Sequence, residues 1–62
     1  MKVVFESSTA IVTYVDSGHL LHTDRTSGEL YRSRGTWTDY ESAKRAYRFL
    51  PGSEWEPVRR RE

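Results

Sequence analysis

The chain contains no cysteine. Disulfides and thiolate zinc sites are thereby excluded, and nothing covalent staples the fold. Net charge is nearly absent as well: ten Lys and Arg against nine Asp and Glu leave +1. A general polyanion binder driven by bulk charge needs a larger surplus than that. Apolar runs are short. None approaches the roughly 20 residues of a membrane-spanning helix, and Val3-Val4-Phe5 is too brief for the apolar region of a signal peptide. The four glycines and two prolines are scattered. Gly18, Gly28, Gly35 and Gly52 are single turn residues and form no phosphate-cradling loop. There is no repeat, linker or low-complexity stretch. These absences lead us to expect a cytoplasmic protein.

What the chain does have is aromatic surface. Two Trp, four Tyr and two Phe make up 13% of its 62 residues, beside 31% charged residues. Disordered chains combine high net charge with few aromatics, so this composition points to a folded domain. The length allows one domain, over residues 1–62, with 59–62 open to fraying. So short a chain buries only about 60% of its unfolded surface, which makes stability marginal.

Lys2–Glu6 is a β-branched and aromatic run and reads as a strand. After a Ser7-Ser8 turn, Thr9–Val15 is the strongest strand signal. Ala10, Val12 and Tyr14 fall on one face and Ile11, Thr13 and Val15 on the other, both mostly apolar, which suits a central strand. Asp16-Ser17-Gly18 supplies turn chemistry, with Asp16 bonding its own backbone and Gly18 taking a positive φ. His19–Thr23 and Glu29–Ser33 read as two more strands around a glycine-containing turn, Asp24–Gly28. Thr38-x-x-Glu41 matches a capping box, and Tyr40, Ala43, Ala46, Tyr47 and Leu50 then recur at helical spacing. Glu41 and Arg45 are spaced for a favourable ion pair. Pro51-Gly52 stops the helix. Glu54–Arg60 can return as an edge strand, since Pro57 has no N–H for a ladder, with Trp55 turned inward. The alternative for its end is a frayed basic tail. The expected fold class is α+β: an antiparallel sheet of three to five strands with one helix, about 39–50, packed on one face.

Few residues offer chemistry. His19 and His22 are the only histidines, and a spacing of three on a strand sends them to opposite faces. No metal or other cofactor is expected. Ser, His and Asp all occur without a nucleophile elbow, and a domain this small has little room for a substrate pocket. Glu6, Asp16, Asp24 and Glu29 stand at turns and strand ends, as solvated carboxylates do. The expectation is a non-enzyme. Two basic features remain: the helix face Lys44, Arg45 and Arg48, and the tail Arg59-Arg60-Arg61. Each is compatible with a merely solvated surface. Arginine is also suited to bidentate grip on carboxylate or phosphate, and a continued strand aims Arg59 and Arg61 to one side. Tyr40, Tyr47 and Trp55 are expected in the core. Trp37 fits core or surface, and Tyr14 and Tyr31 are candidates for an open sheet face.

Two resemblances add to this. Thr38-Asp39-Tyr40-Glu41-Ser42-Ala43 through Leu50-Pro51-Gly52-Ser53-Glu54-Trp55-Glu56 is similar to the small RNA polymerase inhibitor of lytic coliphages. The resemblance implies a stand-alone domain with a helix packed on an antiparallel sheet. It also implies that Arg59 and Arg61 match arginines that bind the jaw region of the bacterial polymerase large subunit and block open-complex formation. Asp24 and Glu29 are the candidates for that family's acidic loop. Separately, Gly35-Thr36-Trp37 followed by Glu41, Ala43, Ala46 and Tyr47 resembles the strand-to-helix junction of three-stranded-sheet DNA-binding domains. That resemblance implies DNA read by the sheet, for which Lys2, Arg25 and Arg32 are the available cations. The first reading is therefore a binding protein, phage or mobile-element encoded, that inhibits or modulates a larger bacterial machine, with RNA polymerase as the named target. Its partner-binding residues are Arg59, Arg61, Arg45 and Arg48, with Trp55 holding their strand. The alternatives are a β-sheet DNA-binding regulator or recombination accessory protein, and an assembly subunit stabilised by oligomerising.

Overall fold

The computed structural model describes residues 1–58. The expected strand end at Arg59–Arg60 and the candidate residue Arg61 lie outside the described residues. The elements run β1 (Lys2–Glu6), β2 (Ala10–Tyr14), β3 (Leu20–Asp24), β4 (Leu30–Ser33), α1 (Tyr40–Tyr47), a 3-10 turn (Gly52–Glu54) and β5 (Trp55–Pro57). The strands form one antiparallel sheet in the order β1-β2-β3-β4-β5. The α+β class read from the sequence is the observed one, at the upper end of the expected strand count.

Each turn follows from its residues. Ser7 Oγ accepts from Ala10 N–H at 3.2 Å. Gly18, at φ +95°, closes the β2–β3 turn by donating its N–H to Val15 O at 2.9 Å. Asp16 does not bond its own backbone as expected; its carboxylate lies 3.9 Å from the Met1 ammonium. The side chain that organises a turn is Asp24. Its Oδ1 accepts from Thr26 N–H at 2.9 Å and from the Thr26 hydroxyl at 2.6 Å. The helix begins one residue later than the capping-box reading requires. Asp39 is the N-cap, and its Oδ1 accepts from Ser42 N–H at 2.7 Å. Asp39 sits in extended backbone, as an N-cap should, and its carboxylate is the better acceptor. The helix also ends earlier, at Tyr47. Phe49 and Leu50 N–H turn to the carbonyls of Ala46 and Tyr47, a tighter last turn, because Pro51 disfavours helical backbone at the residue before it. Glu41 and Arg45 do not make the expected ion pair.

Directly opposed residues of an antiparallel pair project to the same face. Val12, His22 and Tyr31 are opposed across β2, β3 and β4, as are Tyr14 with Leu20 and Ser33 with Trp55. This first face supplies most of the core. Val12, Leu20 and Ala43 of α1 are completely buried together. Val4, Tyr14, Trp37, Tyr47, Leu50 and Trp55 pack against them half-buried. Alanine at position 43 lets the helix backbone come close, and the Tyr47 ring reaches Phe5 at 5.9 Å and Trp55 at 6.4 Å. Tyr40 meets Tyr14 edge-on at 6.4 Å and donates its hydroxyl to Val3 O at 2.9 Å. Tyr14 and Tyr31 were candidates for an open face. Both lie on the face that carries Val12 and Leu20, because the register pairs them with Leu20 and His22. The second face carries Thr13 opposite Leu21, Thr23 opposite Ile11 and Leu30, and Arg32 opposite Glu56.

One junction ties the hairpin to the chain entering α1. Trp37 N–H donates to Gly18 O at 2.9 Å, and the Tyr14 hydroxyl donates to Trp37 O at 2.7 Å. A Cβ at Gly18 would meet Trp37 O at 3.0 Å, so glycine is required there by both φ and space.

Candidate functional site

Two neighbouring surfaces draw on the sequence-predicted site residues. The larger is an open groove of about 510 Å³, lined by His22, Tyr31, Tyr47, Arg48, Leu50, Gly52 and Trp55. β3, β4 and β5 position His22, Tyr31 and Trp55 on the first face, and the end of α1 supplies Tyr47 and Arg48. The rings form a chain of edge-on contacts. His22 lies 5.9 Å from Tyr31 and 5.7 Å from Trp55, and Tyr47 lies 6.4 Å from Trp55, at interplanar angles of 63–78° for the last two pairs. Such contacts stabilise the cluster beyond simple burial.

Several polar groups of this groove are unused by the fold. Among the described residues, the Tyr47 hydroxyl, the Trp55 indole N–H and the Arg48 guanidinium make no hydrogen bond or ion pair. His22 Nδ1 is buried without a partner. The Tyr31 hydroxyl is the exception, donating to Glu29 Oε1 at 2.7 Å. That hydrogen bond, with the carboxylate's negative charge, raises the Tyr31 pKa above the usual phenol value.

The second surface is a shallow cleft of about 180 Å³ on α1, lined by Glu41, Lys44, Arg45 and Arg48. Lys44 Nζ lies 5.8 Å from the Tyr40 ring. Arg48 belongs to both surfaces. Next to it in the chain, Phe49 is 81% exposed.

The structure thus brings Arg48 together with Trp55, and Arg48 with Arg45, while Arg59 and Arg61 lie outside the described residues. Trp55, expected to hold an arginine-bearing strand, packs half-buried against the core and its ring also lines the groove. Sequence reasoning weighed His22 only as half of a histidine pair and Tyr31 only as a candidate for an open sheet face, and it did not single out Tyr47 or Phe49 as functional. The signal for His22 was present in the alternation that sets it on the same face as Leu20. The two histidines do not meet: His19 Nδ1 is 2.9 Å from Ser17 Oγ, whereas His22 sits between Tyr31 and Trp55. No cluster of three or more potential metal ligands occurs among the described residues.

Sheet cations are largely committed elsewhere. Arg25 pairs with Glu6 at 2.7 Å, and Arg32 with Glu56 at 2.8 Å, while Arg34 comes to 3.9 Å from the same Glu56. The hydrogen bond from Arg32 holds the Glu56 carboxyl below its ordinary pKa. Lys2 Nζ stands 5.0 Å over the Tyr40 ring. No helix among the described residues is long and apolar enough to cross a membrane. Comparison with protein-family models, curated proteins and solved structures returns no match to this chain.

Proposed function

We propose that this chain is a small non-enzymatic binding protein, encoded by a phage or another mobile element, that modulates a larger bacterial protein machine by occupying part of its surface. The observation that carries this reading is the end of α1. Phe49 is 81% exposed there, beside Arg45 and Arg48, which have no ion-pair partner among the described residues. A large exposed ring flanked by free arginines suits an acidic protein surface with an apolar depression. RNA polymerase is the named target, on the strength of the resemblance over residues 38–61. The pairing of Arg25 and Arg32 with carboxylates weighs against a sheet that grips DNA phosphates, which needs several free cations.

The test is retention on immobilised bacterial RNA polymerase, nuclease-treated, at moderate salt. Wild-type protein should bind stoichiometrically. Phe49→Ser combined with Arg45→Glu, and separately Arg59→Glu combined with Arg61→Glu, should each weaken binding at least about tenfold with the fold intact. Absence of wild-type binding overturns the polymerase target. Undiminished binding by the Phe49/Arg45 variant overturns the assignment of the docking surface.

A further inference from the structure

We propose that the groove between α1 and the β3–β5 edge is a binding site for a small planar aromatic carboxylate. This goes beyond the surface-docking reading and does not depend on it. Three features of the groove converge. The first is size: about 510 Å³ lies within the range of small-molecule sites, roughly 300–1,000 Å³. The second is the lining. Tyr31, Tyr47, Trp55 and His22 surround the space with rings, and Leu50 adds an aliphatic side chain. A flat aromatic guest makes the most of such walls.

The third feature is charge and hydrogen bonding. Arg48 lines the groove, is exposed, and has no carboxylate partner among the described residues. The Tyr47 hydroxyl and the Trp55 indole N–H likewise have no partner among them. Two of these three groups are donors only and the third donates readily. Among the described residues, no carboxylate lines the groove. The complement of that set is an anion. The planar fork of arginine matches a carboxylate with two parallel hydrogen bonds. Because Arg48 is exposed, the carboxylate sits at the mouth, and the ring system lies inward against Trp55 and Tyr47.

The experiment is an NMR titration of the full chain with 2-naphthoate as probe and 2-naphthamide as its neutral counterpart. Ring currents of the probe should shift the Trp55 indole N–H and the His22 ring signals in a saturable way, with a Kd of about 1 mM or tighter. Naphthamide should bind about fivefold or more weakly. Arg48→Gln, an exposed position, should reduce naphthoate affinity about fivefold or more and leave naphthamide affinity unchanged. Its amide fingerprint spectrum should otherwise match the wild type. Tyr47→Phe keeps the ring and should weaken naphthoate binding less than Arg48→Gln does. The proposal is overturned by the absence of saturable shifts at Trp55 and His22 up to about 10 mM probe, by equal affinities for acid and amide, or by unchanged naphthoate affinity in Arg48→Gln.

Discussion

Ser33 shows what a single polar side chain does inside so small a core. It is completely buried on the first face. Its hydroxyl accepts from Leu20 N–H at 2.9 Å and donates to Gly35 O at 2.8 Å. It thus holds the start of β3 against the end of β4, and satisfies a backbone donor that the ladder leaves free. Ser33→Ala removes both bonds and strands Leu20 N–H in the interior. The expected cost is about 1–3 kcal/mol, read from the shift in urea midpoint at unchanged slope. A loss close to zero would mean that water replaces the hydroxyl. His22 is the opposite case. Its Nδ1 is buried with no partner, and among the described residues the ring is held by its contacts with Tyr31 and Trp55.

At the scale of elements, the helix and the β3–β4 turn each hang on one carboxylate. The backbone hydrogen bond from Ser42 holds the Asp39 pKa below its ordinary value, and the Thr26 hydroxyl does the same to Asp24. Both pKa values are depressed in the folded chain. Their contribution to stability is therefore complete above the usual carboxylate range and is lost as pH falls through the folded values. The melting temperature should be flat near neutrality and fall below about pH 4. Asp39→Ala should lower the neutral-pH melting temperature and shallow the acid limb, checked by thermal melts in buffers from neutral to acidic. An acid limb as steep as that of the wild type would move the effect to other carboxylates. The sheet edges are guarded by their own residues. Arg34 N–H and Val58 N–H donate across to Glu54 O and Leu30 O, which leaves the backbone edge of Trp55 and Pro57 facing away from β4 while the Trp55 ring stays on the core face. Trp55 N–H is spent on Gly52 O, and Pro57 has none to offer. At the other edge, β1 carries a register shift between Val3 and Phe5. Both devices discourage strand addition by another chain.

At the scale of the molecule, three completely buried apolar side chains among the described residues (Val12, Leu20 and Ala43) form the centre. Typical stability per residue scales to only about 3–9 kcal/mol for a chain of this length. Leu20→Ala should cost about 2–5 kcal/mol, a large share of that total. The variant is expected to show a substantial unfolded population at 37 °C by circular dichroism. A fully folded variant at that temperature would show that the half-buried ring of aromatics, and not the central cluster, carries the stability.

The sequence by itself determined the class and most of the elements. Alternation over residues 10–14, the positive-φ glycines at 18 and 28, and the start of the apolar stripe at Tyr40 are local signals that the structure bears out, while the helix stops at Tyr47, short of the stripe's end at Leu50. The sequence put the N-cap one residue early, at Thr38 of the capping-box spacing, whereas Asp39 takes the extended cap backbone and accepts from Ser42 N–H. It also left the side of the sheet taken by Tyr14 and Tyr31 open, since both faces of β2 are apolar. That side was decided by the register with Leu20 and His22. The groove was beyond local reading altogether. Its walls come from β3, β4, the end of α1 and β5, residues more than thirty positions apart at the extremes. Only long-range packing brings His22, Arg48 and Trp55 to one surface, because contacts between distant segments are set by how whole faces fit, not by any pattern within a segment.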